Sequence, residues 1–119
     1  MRQTLLLTYS PRPDVELDEY HRWLQQVDNP FFNGRPVVHR YVNYRVIAPV
    51  LGAESFTHFD ILEIEGDGGP DSVFGDPEIH AFARDWVRKW GINPDPDAAD
   101  QSVNYRVMLC EAIAAPCGE

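Results

Sequence analysis

The sequence predicts a single α+β domain over residues 1–119, with four strands and two helices in the order βαββαβ. Three observations predict it. Short β-prone segments alternate with proline- and glycine-rich stops, two stretches carry apolar residues at helical spacing, and one pentapeptide, Val42-Asn43-Tyr44-Arg45-Val46, recurs as Val103-Asn104-Tyr105-Arg106-Val107. A hydrophobic content of 44% is ample for one modest core and too high for a disordered chain of this length.

Thr4 to Tyr9 is apolar and β-prone, and Ser10-Pro11-Arg12-Pro13 stops it because proline cannot donate to a sheet ladder. Asp14 then stands as a candidate N-cap, with Leu17, Tyr20, Leu24 and Val27 forming the buried stripe of a first helix that ends near Asp28-Asn29-Pro30. Val37 to Ile47 reads as the second strand, closed by Ala48-Pro49, and Ser55 to Glu65 as the third, closed by the flexible Gly66-Asp67-Gly68-Gly69-Pro70. The second helix has the clearest limits. Asp76 caps it, Pro77 occupies its first position, Gly91 and Pro94 stand at its end, and Ile79, Phe82, Ala83, Trp86 and Trp90 form its buried stripe. After the proline-rich loop Asn93 to Asp97, Ser102 to Ile113 is the fourth strand.

The pentapeptide falls in strands two and four, the pair that the twofold pseudosymmetry of a ferredoxin-like sandwich would superimpose. That topology places an antiparallel sheet in the order four, one, three, two, with both helices on one face and both pentapeptides on edges. Open edges and an uncovered sheet face call for a partner, so the expected state is a homodimer.

Composition narrows function. A formal charge of −9 argues against nucleic acid or an anionic membrane surface as partner, and no apolar run has the length of a membrane span. The first residues lack a signal-peptide pattern, which points to the cytoplasm. Cys110 and Cys117 form neither a disulfide framework nor a metal spacing, and His-x-x-x-His, Gly-x-Gly-x-x-Gly and P-loop patterns are lacking, so no metal and no cofactor is expected.

Alternation along strand two groups His39, Tyr41, Asn43 and Arg45 on one face and Val38, Arg40, Val42, Tyr44 and Val46 on the other, the second being the better core face. In strand three Phe56, His58, Asp60, Leu62 and Ile64 share a face, and pattern alone does not say whether it meets the helices. If His58 and Asp60 face away from them, they join His39, Tyr41, Asn43, Arg45, Phe56, Asn104 and Arg106 in a surface for a polar aromatic molecule. His58 beside Asp60 is an acid–base arrangement in which the carboxylate would orient the imidazole and raise its pKa; His39 is the other candidate, and a hydrogen-bonded structural histidine remains the plain alternative. Arg45 and Arg106 suit a carboxylate or enolate, or else intersubunit ion pairs. Asn43 and Asn104 could donate to an oxyanion or satisfy edge backbone. His21 borders the first helix's stripe, as a structural or substrate-facing residue, and His80 is expected in solvent.

With Leu5-Leu6-Leu7-Thr8-Tyr9 in strand one, Val27-Asp28-Asn29-Pro30 closing the first helix, the long His39 to Val46 strand and Asp76-Pro77-Glu78-Ile79-His80 opening the second helix, the chain resembles the RedY/HapK-like proteins of the dimeric α/β-barrel superfamily. The resemblance spans most of the chain. It implies a homodimeric α/β barrel and cofactor-independent work on conjugated substrates, here cyclisation or condensation, with dehydration or lyase character, of a pyrrole- or indole-derived intermediate of bacterial secondary metabolism. It equally admits a cofactor-free monooxygenase or a binder that protects an unstable intermediate. Within the first reading His58 with Asp60, or His39, moves the proton, while Asn43, Arg45 and Arg106 hold the substrate.

Overall fold

A computed structural model describes residues 2–93 and 102–117. Strands β1 (Arg2–Tyr9), β2 (Val38–Arg45), β3 (His58–Glu65) and β4 (Arg106–Cys110) form one antiparallel sheet in the order β2-β3-β1-β4, as the sequence predicts. Helices α1 (Leu17–Trp23), α2 (Asn29–Asn33), α3 (Asp71–Phe74) and α4 (Pro77–Trp90) complete the α+β fold. Among the described residues no helix is long and apolar enough to cross a membrane, and Cys110 and Cys117 are free and exposed.

Helix α4 follows its sequence signals closely. The Asp76 carboxylate accepts the amides of Glu78 at 2.8 Å and Ile79 at 3.2 Å, and Pro77 at the first position forfeits an N–H that has no helical partner anyway. Gly91 ends it because a Cβ there would stand 3.0 Å from both Trp86 and the Val87 backbone.

The first helix departs from expectation at both ends. Its cap is Glu16, whose carboxylate accepts from the amides of Asp18 and Glu19, and Asp14 lies outside it. Nor does it stop at Asp28-Asn29-Pro30. Pro30 cannot donate to a carbonyl one turn back, and the chain accommodates it by widening into a π-helical turn, Leu24–Asp28, in which the Asn29 amide reaches the Leu24 carbonyl. Helix α2 then carries on from Asn29. The widened turn brings Asp28 to the sheet side, 4% exposed.

The sheet face of β2 is opposite to the one that alternation predicts. Val38 pairs with Ile64, Arg40 with Glu63 and Tyr41 with Leu62, so His39 and Arg40 together oppose one residue. This bulge shifts the phase of the strand by one residue. Val38 and Tyr41 are therefore both buried toward the helices, Asn43 and Arg45 follow on that side, and Val42 and Tyr44 turn to the open face, where Tyr44 stacks on Phe59 at 4.8 Å. In β3 the face that carries His58, Asp60, Leu62 and Ile64 is the buried one.

Strand β4 begins four residues later than expected. Ser102 to Tyr105 forms a turn closed by the Tyr105 amide on the Ser102 carbonyl at 3.1 Å, so only Arg106 and Val107 of the second pentapeptide are in a strand. The two copies are thus not structural equivalents. The turn lays Tyr105 over the core, stacked on Tyr9 at 5.5 Å and edge-on to Trp86 at 5.3 Å.

Candidate active site

Between sheet and helices lies a cavity of about 440 Å³. Leu7, Tyr9 and Leu62 of the sheet, Tyr20 and Leu24 of the first helix, Phe32 of α2, Phe82 and Trp86 of α4, and Tyr105 wall it with aliphatic and aromatic carbon. Within this wall Trp86 Nε1 donates to the Tyr20 hydroxyl at 2.9 Å, and the hydroxyls of Tyr20 and Tyr9 are 2.7 Å apart. Burial raises the pKa of both phenols, so they stay protonated at neutral pH.

Two carboxyl groups, Asp28 and Asp60, open onto this apolar space. The Tyr41 hydroxyl lies between them, 2.7 Å from Asp28 Oδ2 and 3.1 Å from Asp60 Oδ2. Asn43 Nδ2 donates to Asp28 Oδ2 at 3.0 Å and to Asp60 Oδ1 at 2.9 Å. Asn43 is held in that orientation because its Oδ1 accepts from Asn29 Nδ2 at 3.0 Å. Asn33 in turn pairs with the edge backbone of β2, accepting the Tyr41 amide and donating to the Tyr41 carbonyl, both at 3.0 Å. The edge that the sequence leaves open is therefore closed at Tyr41 by α2.

The hydrogen bonds favour one proton arrangement in this group. The Tyr41 hydroxyl has one proton, and the shorter contact gives it to Asp28. The 3.1 Å approach of Asp60 Oδ2 to the same oxygen, which also lies 3.1 Å from Asn43 Nδ2, is then best satisfied by a protonated Asp60 that donates to Tyr41. Electrostatics agree. Burial, reinforced by the Asp28 charge, pushes Asp60 up to about 8, whereas burial alone lifts Asp28 to about 6; hydrogen bonds from Tyr41 and Asn43 hold both back, so the Asp28 charge is what sets the two apart. At neutral pH the array is Asp60-COOH, Tyr41-OH, Asp28-COO⁻, holding one carboxyl proton between two acids.

His58 takes no part in it. Its Nε2 is 2.9 Å from His21 Nε2 and its Nδ1 is 2.8 Å from Thr57 Oγ1, with no bond to Asp60. One proton at most occupies the gap between two imidazole nitrogens. Burial, then His21 and Arg45, depress His58 to about 4, the reverse of the increase that an orienting carboxylate would produce, and burial with Arg45 lowers His21. Both histidines line a second, open polar groove on the far side of Tyr41, together with Asp18, Asn29, Asn43 and Arg45.

The remaining sequence candidates scatter. His39, at the bulge, is exposed beside Arg2 and Glu65 and lines neither concavity. Arg106 is exposed opposite Thr8 on the open face, while Arg45 faces the helix side, so the two arginines do not converge. Asn104 sits in the turn before β4, and its buried Oδ1 has no partner among the described residues. Phe56 packs edge-on against Phe59 at 6.1 Å. His80 is exposed, as expected, and also borders the cavity. Among the described residues no three His, Cys, Asp or Glu side chains converge as metal ligands. Sequence reasoning missed Asp28, Asn29 and Asn33. The available signal was slight: Asp28-Asn29 before Pro30 reads as a helix end, and only the apolar Phe31-Phe32 beyond it points to continued packing on the core.

The family model described as REDY-like protein HapK matches residues 3–91. The chain belongs to that family. The matched stretch contains Asp28, Tyr41, Asn43 and Asp60, and ends before Tyr105 and β4. Among solved structures the chain is similar to HapK from Hahella chejuensis, with a TM-score of 0.64 at 14% identity over 98% of this chain and 96% of that one. It is similar also to an ethyl tert-butyl ether D family protein from Bacillus halodurans (TM-score 0.65, 12% identity, 95% of this chain and 100% of that one) and to a Dabb family protein with a ferredoxin-like fold from Mesorhizobium loti (0.60, 17%, 95% and 98%). At these identities the HapK, EthD and Dabb structures establish a shared ferredoxin-like fold. No curated protein matches the sequence itself.

Proposed function

We propose that this HapK-family chain is a cofactor-independent cyclase or condensation enzyme of bacterial natural-product biosynthesis, acting on a pyrrole- or indole-derived intermediate inside the aromatic cavity. One observation carries the reading: two buried carboxyls joined through the Tyr41 hydroxyl at the wall of an otherwise apolar pocket. A volume of about 440 Å³ accepts a ligand of two or three aromatic rings.

Such a pair performs acid and base work together. In a dehydrating cyclisation, Asp60 protonates the oxygen of a carbinol, the carbon–oxygen bond breaks and that oxygen leaves as water, while an electron-rich ring carbon forms the new carbon–carbon bond to the carbon it has left. Asp28 then accepts the ring proton and aromaticity returns. Transfer of that proton through the Tyr41 hydroxyl to Asp60 restores the starting state, with one water released per bond formed. Asn43 holds both carboxyls in register throughout. Activity requires Asp28 ionised and Asp60 protonated, so the rate is greatest between about pH 6 and about pH 8. His21 and His58 sit outside the reacting space in this scheme, and Arg45 serves the outer groove.

The pentapeptide's Tyr44 and Val42, with Phe59 and Ile61, leave an apolar strip on the open sheet face. In our reading a second copy covers it, giving a homodimer. The functional test is product formation from the purified pathway intermediate, followed by mass spectrometry, with Asp28→Asn and Asp60→Asn each compared with the wild type. Wild-type product yields from both variants defeat the acid–base assignment, and saturable binding without turnover by the wild type shows a carrier instead of an enzyme.

A further inference from the structure

We propose that the cavity selects an aromatic ligand by positive charge, taking a protonated amine, iminium or similar heteroaromatic cation and rejecting carboxylates. This deepens the acid–base reading and rests on its placement of the substrate in that cavity. It reverses the sequence-based expectation that arginines would hold a substrate anion.

The charge balance around Asp28 carries the argument. Its ionised carboxylate is 4% exposed, and its partners are the neutral Tyr41 hydroxyl and the neutral Asn43 amide. The cavity wall among the described residues contains no lysine or arginine, and none of the other residues of the chain, Met1, Pro94 to Gln101, Gly118 and Glu119, is basic. Arg45 lies on the outer groove, beyond Tyr41. A buried carboxylate with hydrogen bonds but without a countercharge is costly, and a cation placed beside it recovers part of that cost. The walls suit such a guest, since the aromatic side chains around the cavity, Trp86 and Tyr105 among them, offer apolar area to its rings, and an aromatic ring whose face meets a cation attracts it. A carboxylate would instead meet Asp28 across a medium of low dielectric.

The same geometry explains how the cavity serves the cyclisation. Attack of an electron-rich ring on the activated carbinol carbon passes through a cationic ring species before the proton leaves. Asp28 sits where that charge develops, so it stabilises the cation first and removes its proton second.

The groups that face Asp28 are Asp60 on β3, Tyr41 and Asn43 on β2 and Tyr20 on the first helix, with Tyr9, Tyr105 and His80 elsewhere on the wall and His21, His58 and Arg45 behind Tyr41. The test measures binding by calorimetry for three matched probes, 1-naphthylmethylamine, 1-naphthalenemethanol and 1-naphthoic acid. The amine is expected to bind about tenfold more tightly than the alcohol, a factor set by one charge-assisted contact, with the acid weaker than both. Asp28→Asn brings amine and alcohol within about twofold of each other. In a His80→Gln background, lowering the pH from about 7.5 to about 5 protonates Asp28 and removes most of the amine's advantage while the alcohol's affinity holds, which keeps the proposal testable without a carboxyl substitution. Acid binding as tight as amine binding, or an amine preference that survives both Asp28→Asn and low pH, overturns it. Selective amine binding by a protein that turns nothing over supports the charge reading and removes the enzymatic one; turnover without amine preference does the reverse.

Discussion

Replacing Asp60 by asparagine gives a stability change whose sign and pH window follow from the site. In the unfolded chain this carboxyl ionises near 3.8, whereas in the folded protein burial and the Asp28 charge hold its proton until about 8. Between those values the folded state binds the extra proton, so stability falls as pH rises. Asp28 contributes in the same direction only up to about 6, and His58, depressed to about 4, contributes in the opposite direction only up to its unfolded value of 6.5. The window from about pH 6.5 to about pH 8 therefore isolates Asp60. At roughly 1.4 kcal/mol per pH unit the wild type loses about 2 kcal/mol across it from this group. Asparagine copies the protonated acid: its Nδ2 can donate to Tyr41 and its Oδ1 can accept from Asn43. The variant should match the wild type within about 1 kcal/mol at pH 6.5 and exceed it by about 2 kcal/mol at pH 8. Urea unfolding at fixed pH measures both, and the difference between the two curves cancels titrations common to both proteins. Parallel curves for the two proteins, or a variant already unstable at pH 6.5, would refute the proton assignment.

Three other outcomes follow from the same contacts. Asn43→Ala removes the amide that bridges the carboxyls and should cost about 2 kcal/mol in urea unfolding, more at pH 8 than at pH 5, because its hydrogen bonds favour the charged forms. His39→Ala should leave product yield unchanged by mass spectrometry, and His58→Gln should lower it less than about tenfold, against a loss of about a hundredfold or more for Asp60→Asn; the opposite ranking restores histidine as the proton carrier. By light scattering the wild type should be a dimer and Ile61→Glu, on the open sheet face, a folded monomer; a dimeric variant would place the interface elsewhere.

Strand order, the limits of α4 and the shared face of His58 and Asp60 were legible in the sequence because each rests on local rules: alternation, capping and turn chemistry. The orientation of that face was not. Asp60 stands in a run of otherwise apolar alternation with Leu62 and Ile64, which suits burial, but a carboxylate in the core contradicts the usual rule until its partners are known, so the pattern left both faces open. Those partners lie at Asp28, Tyr41 and Asn43, between 15 and 32 residues apart in sequence from one another or from Asp60 in the pairs that matter most, Asp28 with Asn43 and Asp28 with Asp60. Two irregularities bring them together. The π-helical turn ahead of Pro30 tips Asp28 inward, and the bulge at His39 and Arg40 turns Tyr41 and Asn43 toward the helices. Alternation read straight through a bulge assigns every later residue to the wrong face, which is why Val42 and Tyr44 looked like core. The pentapeptide misled in a second way: identical residues met different surroundings, a strand in one case and a turn in the other.

The protonation state of the carboxyl pair is measured most directly by NMR titration of protein labelled with carbon-13 at the aspartate carboxyl. Two aspartate signals should titrate far from the ordinary range, one near pH 6 and one near pH 8, the second absent from Asp60→Asn. Titration of every aspartate below about pH 5 would contradict the proton assignment.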